Sequence, residues 1–409
     1  MVDLKDILIA RENLAGVTHR TNLDLSSTFS KLTGAQVYLK TENLQKTGSF
    51  KIRGAYNKIA LLTPEEKKKG VIAASAGNHA QGVAFAANRA GIHSTIVMPE
   101  GAPISKVLAT RDYGAQVVLH GQVYDDAFHK AKEIQESQGA TFVHAFDDPA
   151  IIAGQGTIGL EILEDLADLD IIFVPIGGGG LAAGVAIAAK TMNPKIKIIG
   201  VEAAGAACFK NSLDAGKLCT LASASTIADG IAVKCPGTLT FQILQQYIDA
   251  VITVDDEEIA STILLLIERA KLIVEGAGAV SLTALLYHKE LLDIAGKKVA
   301  AVLSGGNIDV NFISLIIEKG LVKAGRHIRM ATTILDKPGK LQDFLSVIAQ
   351  ERGNVISINH DRAQAYLPVD KARVEAVVET QGREHGQRII QALRDKGFAV
   401  ECFLCRGEE

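Results

Sequence analysis

The sequence predicts an α/β protein of two lobes, each built on a parallel sheet, followed by a small β-α-β-β-α-β domain. Three observations carry this. From about residue 70 short apolar runs alternate with glycine turns and helical stretches. The same alternation returns between about 171 and 303. Near Leu321-Val322-Lys323-Ala324-Gly325 it gives way to a strand with one apolar face. Strands apolar on both faces and alternating with helices belong to parallel sheets covered on both sides, whereas strict alternation marks a half-buried sheet. A chain of 409 residues is also too long for one ordinary domain.

The elements follow in order. Met1 to Ile7 carries charges where a signal peptide needs an apolar core, and reads as an amphipathic helix. Val71-Ile72-Ala73-Ala74 is a short strand, followed by a turn at Gly77 and a helix over Gln81–Arg89. Ser94 to Met98 is a strand ending at Pro99; Ile104 to Asp112 is a helix stopped by Gly114; Gln116 to Leu119 is the next strand. In the second lobe Ile171 to Val174, Lys197 to Val201 and Lys298 to Leu303 are buried strands. After the change of pattern, His327 to Leu335 alternates, with Ile328, Met330, Thr332 and Ile334 on one side. Asp336-Lys337-Pro338-Gly339-Lys340-Leu341 offers a capping aspartate and a first-turn proline, and Leu341, Phe344, Leu345 and Ile348 continue at helical spacing to a stop at Gly353. Strands over Asn354–Asp361 and Ala372–Glu379, a helix over Arg383–Asp395 and a strand over Phe398–Leu404 complete the ferredoxin-like order.

Composition excludes several classes. Hydrophobic content of 48% with 22% charged residues is that of a globular chain. A net charge of -3, without a long basic run, gives no electrostatic case for nucleic acid. The uncharged run from Ile171 to Ala189 approaches the ~20 residues of a membrane span, but Pro175 and four consecutive glycines interrupt it. A buried strand, a glycine loop and a buried helix explain it better, and no membrane association is expected. Five cysteines are odd in number; Cys402 and Cys405 have no second pair to make a zinc site, so reduced thiols in a cytoplasmic protein are expected.

Four motifs carry chemistry. Thr47-Gly48-Ser49-Phe50-Lys51-Ile52-Arg53-Gly54-Ala55 sets one lysine among small residues. A lysine that forms covalent bonds needs room around its amine and a setting that lowers its pKa; a solvated surface lysine is the ordinary alternative. Ser75-Ala76-Gly77-Asn78-His79 lies just after a strand, where α/β proteins place ligands, although an asparagine there also fits a turn closed by its own hydrogen bonds. Gly177-Gly178-Gly179-Gly180 runs from a buried strand into a helix, so backbone N–H groups and the helix N-terminus can converge on a phosphate. Leu181-Ala182-Ala183 follows, which rules out the lysine of a nucleotide P-loop. Ser304-Gly305-Gly306-Asn307 follows the last strand of the second lobe; read alone, Ser304 also fits a cap or turn.

In this order the motifs resemble the pyridoxal-phosphate (PLP) enzymes of the threonine dehydratase and serine racemase group, fold type II, and in detail the threonine dehydratases. The resemblance implies residues 1–323 as a catalytic region, with a smaller lobe at roughly 50–150 inserted in the larger, and 326–409 as a regulatory domain similar to the amino-acid-sensing ACT family. It implies that Lys51 holds PLP covalently and acts as the base, with Phe50 beside it. Gly177, Gly178, Gly179, Gly180 and Leu181 would cradle the phosphate, Asn78 would bond the phenolic oxygen, and Ser304 would face the pyridine nitrogen. Ser75, Ala76, Gly77, Asn78 and His79 would hold the substrate carboxylate, with no catalytic role for His79. Family racemases carry a serine at the position of Ala76; alanine has no proton to give, which favours elimination. Those relatives also bind a divalent ion through an acidic residue soon after the matching glutamate of the Val201-Glu202 strand, and Ala203 to Cys208 has none, so no metal is assigned. The implied reaction turns L-threonine into 2-oxobutanoate and ammonia, and L-serine into pyruvate, a step that serves either isoleucine biosynthesis or threonine breakdown. Isoleucine or valine is the implied effector, on a homodimer or homotetramer. A serine dehydratase or racemase, and a non-catalytic amino-acid sensor, are the alternatives.

Overall fold

The computed structural model describes residues 2–364 and 366–402, which divide into two compact units at Asp309/Val310. The first unit has ten strands: β1 (Leu23–Leu25), β2 (Gln36–Lys40), β3 (Val71–Ala74), β4 (Ser94–Met98), β5 (Gln116–Leu119), β6 (Thr141–Phe142), β7 (Ile171–Pro175), β8 (Lys197–Ala203), β9 (Ala250–Val254) and β10 (Lys298–Val302). They form two sheets, β1-β2-β10-β7-β8-β9 and β5-β4-β3-β6. Every pairing is parallel except β1 on β2. β3 and β7 are buried along their whole length, as strands covered on both faces must be. The apolar run from Ile171 splits into β7, a glycine turn and the helix Gly180–Met192. No helix among the described residues is long and apolar enough to cross a membrane.

Helix Pro149–Asp165 positions the site from below. Asp148 caps it by accepting from the N–H groups of Ala150 and Ile151. On one side Gly154 touches the helix Lys51–Ala60: a Cβ at Gly154 would lie 2.4 Å from Arg53 O and 2.8 Å from Gly54 Cα. On another, a Cβ at Gly184 of the helix Gly180–Met192 would lie 2.4 Å from Ile152 O and 2.6 Å from Gly156 N. Three helices therefore meet backbone to backbone, and the ends carrying Lys51 and the glycine loop are set by one shared neighbour. Beneath them Arg53, Glu42, Glu161 and Lys40 form a buried ion cluster.

The second unit contains β11 (His327–Leu335), β12 (Asn354–Asp361), β13 (Lys371–Glu379) and β14 (Glu401–Cys402) in the antiparallel order β12-β13-β11-β14. With helices Lys340–Gln350 and Arg383–Asp395 this is β-α-β-β-α-β. Ile328, Met330 and Ile334 of β11 face Phe344, Ile348, Ile389 and Leu393 in its core. Helix Val310–Lys323, which the sequence reading keeps with the first region, belongs to this unit, where Glu318 pairs with Arg329 of β11.

Three local expectations are corrected. The helix after β3 begins at Asn78, not Gln81. Asp336 caps no helix: Gly339, at φ 90°, sits at the N-cap, and Asp336 instead accepts from Arg362 at 2.7 Å. Gly353 does not make the stop either, since the left-handed residue is Arg352 at φ 63°. Gly353 is there for space, because a Cβ would lie 2.9 Å from Ile348, Ile389 and Val378 side-chain atoms. The expected strand over Phe398–Leu404 is described only as β14; residue 403 onward, Cys405 included, lies outside the described residues.

Candidate active site

Lys51 opens the helix Lys51–Ala60 directly after a left-handed turn at Thr47 (φ 66°) and Gly48 (φ 69°). Its Nζ donates to Ala145 O at 3.0 Å and lies 5.1 Å from the centre of the Phe50 ring. Burial lowers its pKa to about 8, against the pull of the Glu275 charge, so a useful fraction of free amine exists near neutrality. The segment before it is stitched to the strand end beyond β10. Phe50 N donates to Ser304 O at 3.1 Å, Ser49 pairs with Gly305, and Gly306 N donates to Gly48 O at 2.8 Å. Ser304 and Phe50 are thus beside Lys51, and Ser304 Oγ reaches Ala277 O at 3.3 Å.

Asn78 starts the helix Asn78–Arg89, with Gly77 at its N-cap. Its amide is held at both ends: Nδ2 donates to Glu275 Oε1 at 2.6 Å, and Oδ1 accepts from Asn307 Nδ2 at 2.8 Å. Asn307 Nδ2 also donates to Thr47 O at 2.7 Å, which links Asn78 to the turn ahead of Lys51. Gly77 N donates to Ser75 Oγ at 3.2 Å, and a Cβ at Gly77 would meet nothing within 4 Å, so this helix start is open. His79 is turned inward, its Nε2 2.8 Å from Val143 O. Burial and the Lys51 charge push its pKa down to about 3, keeping it neutral.

The glycine loop joins β7 to the helix Gly180–Met192, whose first N–H groups have no partners within the helix. Side chains are barred there by close neighbours. A Cβ at Gly178 would lie 2.3 Å from the Phe146 ring, one at Gly180 2.8 Å from Gln155 Oε1, and one at Gly177 2.9 Å from Ile231 Cα. Gly179, at φ 93°, needs glycine for conformation as well. Phe146 follows Ala145, the acceptor of Lys51, so the lysine and the loop share one neighbour. Gln155 Oε1 and Ser49 Oγ are buried without a hydrogen-bond partner. A backbone cradle at a helix start, buried polar atoms awaiting partners and an amine of lowered pKa fit a phosphorylated aldehyde cofactor.

Glu275, the bridging role of Asn307, Ala145, Phe146 and Gln155 carry no motif and emerge from the fold. Glu275 had one usable signal, a lone carboxylate in the apolar, glycine-rich run Leu272-Ile273-Val274-Glu275-Gly276-Ala277-Gly278. Glu202, the glutamate considered for a metal, accepts from Phe209 N and Lys210 N, both at 2.8 Å.

Comparison with known proteins gives a consistent picture. Residues 15–305 match the family model described as pyridoxal-phosphate dependent enzyme. An L-threonine ammonia-lyase of Thermotoga maritima is 52% identical over 400 residues, covering 98% of this chain and 99% of that protein. A catabolic L-threonine dehydratase of Escherichia coli K12 is 48% identical over 315 residues, 77% of this chain and 96% of its own. Among solved structures, maize serine racemase superposes with a TM-score of 0.74 at 39% identity, covering 78% of this chain and 98% of that one.

Proposed function

The chain belongs to the pyridoxal-phosphate dependent enzymes, among the L-threonine ammonia-lyases, and from that premise we propose that it eliminates ammonia from L-threonine to give 2-oxobutanoate, and from L-serine to give pyruvate. The observation that carries the reading is Lys51, a lowered-pKa amine at a helix start, beside Ser304 and sharing a neighbour with the glycine loop. Bound pyridoxal phosphate supplies the electron sink that acidifies the Cα–H of an attached amino acid. The residues divide the remaining work. With the cofactor bound, backbone N–H groups from Gly177 to Leu181 would hold the phosphate, Asn78 would donate to the phenolic oxygen, and Ser304 would serve the ring nitrogen. The Ser75 hydroxyl and N–H groups from Ala76 to His79 receive the substrate carboxylate, the Ser75 N–H being taken by Val97 O at 3.1 Å. Lys51 is the base that takes the proton from Cα. The β-hydroxyl takes up a proton, in balance with the one that Lys51 removes from Cα, and leaves as water; the released enamine then takes up water to yield the oxo acid and ammonia.

Racemisation requires a proton donor on the face of Cα opposite Lys51. Ala76 offers none, which supports elimination over the racemase alternative. The β-α-β-β-α-β unit supports feedback control in isoleucine biosynthesis, with isoleucine or valine bound between units of a homodimer or homotetramer. The test is 2-oxobutanoate release from L-threonine by the PLP-loaded protein, titrated with isoleucine. Turnover suppressed by isoleucine is expected. Turnover indifferent to isoleucine and valine would remove the feedback reading, and no turnover on threonine or serine would remove the lyase.

A further inference from the structure

Glu275 is a buried carboxylate, 4% exposed, with no ion-pair partner in contact among the described residues. It sits at the N-cap of the helix Gly276–Tyr287, its N–H donating to Gly305 O at 3.0 Å. A Cβ at Gly305 would lie 2.2 Å from Glu275 Oε1, so the carboxylate rests on the backbone next to Ser304. Lys51, Lys106 and Asp229 face it from three other elements, and Asn78 is its side-chain hydrogen-bond partner. Burial, helped by the Asp229 charge, raises its pKa to about 7. An isolated buried carboxylate is expensive to keep, and its one specific bond indicates what it provides.

That bond decides which way the Asn78 amide points. The ionised carboxylate, favoured above about pH 7, only accepts and so holds Nδ2 of Asn78, while Asn307 Nδ2 only donates and holds Oδ1. The second N–H of Asn78 Nδ2 is then left to donate. We propose that Glu275 is a positioning residue for the cofactor: it locks the Asn78 amide with its N–H toward the phenolic oxygen, favouring the anionic form of that oxygen. This rests on the reading of the cleft as a pyridoxal-phosphate site. In Glu275→Gln the new amide can donate as well as accept, so the Asn78 amide can turn over and present its oxygen instead.

The experiment follows the visible absorbance of the bound cofactor against pH, with the cofactor dissociation constant, for wild type, Glu275→Gln, Glu275→Asp and Asn307→Ala. In Glu275→Gln the titration midpoint moves to higher pH and the dissociation constant rises roughly tenfold. With L-threonine, kcat falls while KM changes little. Glu275→Asp, which still only accepts, returns the midpoint toward wild type, and Asn307→Ala shifts it in the same direction as Glu275→Gln. A folded Glu275→Gln with the wild-type midpoint and affinity overturns the proposal, as do equal shifts for Asp and Gln. Should Glu275→Gln fail to fold, an unshifted Asn307→Ala overturns it instead. Variants that show these shifts against a wild type that takes up the cofactor yet does not turn over threonine sink the lyase and uphold the positioning role.

Discussion

Replacing Arg53 by methionine tests how the lysine-bearing helix is held. The guanidinium is 1% exposed and reaches two carboxylates. Nε and Nη2 donate to Glu42 at 2.9 and 2.7 Å; Nη1 and Nη2 donate to Glu161 at 2.6 and 2.9 Å. Nη1 also reaches Thr157 Oγ1 at 3.1 Å, and Nη2 reaches His19 O at 3.2 Å. Lys40 Nζ donates to Glu161 at 2.5 Å and to Thr21 O at 2.7 Å. Two cations thus face two anions; methionine leaves one buried negative charge uncompensated. Breaking a buried pair in this way costs about 3–5 kcal/mol, or on the order of 10 °C in Tm for a unit of this size. Thermal unfolding of the cofactor-free protein by circular dichroism reads it. Replacing Arg53, Glu42, Glu161 and Lys40 together by apolar residues of matching volume should recover much of the loss, since the penalty is imbalance and not lost attraction. A loss below about 1 kcal/mol in Arg53→Met would refute the reasoning, because so small a cost belongs to solvated pairs.

Four further outcomes follow from the same geometry. Burial would raise the Glu42 pKa, but the Arg53 charge and hydrogen bonds hold it below its ordinary 4.5; its stabilisation is present above 4.5 and lost as pH falls further, so Glu42→Gln should flatten the acid limb of a Tm–pH profile. In cofactor-free protein, amine labelling of Lys51 should titrate near pH 8, and a midpoint near 10.5 would contradict its burial. The raised Glu275 pKa contributes stability that is present below 4.5 and lost as pH rises through about 7. Glu275→Gln should therefore raise the Tm of the cofactor-free protein at pH 8, and a lower Tm there would count against that sign. Gly184→Ala should cost about 3 kcal/mol or more, because its Cβ would meet backbone atoms that cannot swing away, and cofactor affinity should fall with it.

Six strands of the two lobes were legible as short apolar runs, clearest where both faces are buried, as at Val71–Ala74 and Ile171–Pro175; β1, β2, β6 and β9, which are short, edge-placed or partly exposed, were not singled out. Lys51 and the glycine loop stood out because each lies in one local motif, and the structure sets them against the adjacent residues Ala145 and Phe146. Asp336 and Gly353 misled for a shared reason: each residue type suits two local roles, and tertiary contacts chose the other. Asp336 found Arg362, and Gly353 made room for Ile348, Ile389 and Val378. Glu275 and the Arg53 cluster were out of reach, since their meaning lies in partners far along the chain. Glu275 meets Asn78 across 197 residues, and Arg53 meets Glu161 across 108. Proximity of that kind follows from the packing of helices through Gly154 and Gly184, which no local pattern encodes.

The most direct test of the central claim is to trap the cofactor with borohydride in the PLP-loaded protein and map the modified peptide by mass spectrometry. A pyridoxyl group is expected on Lys51, and none there in Lys51→Ala, which should also lose 2-oxobutanoate release. Label on a different lysine, or near-normal turnover in Lys51→Ala, would contradict it.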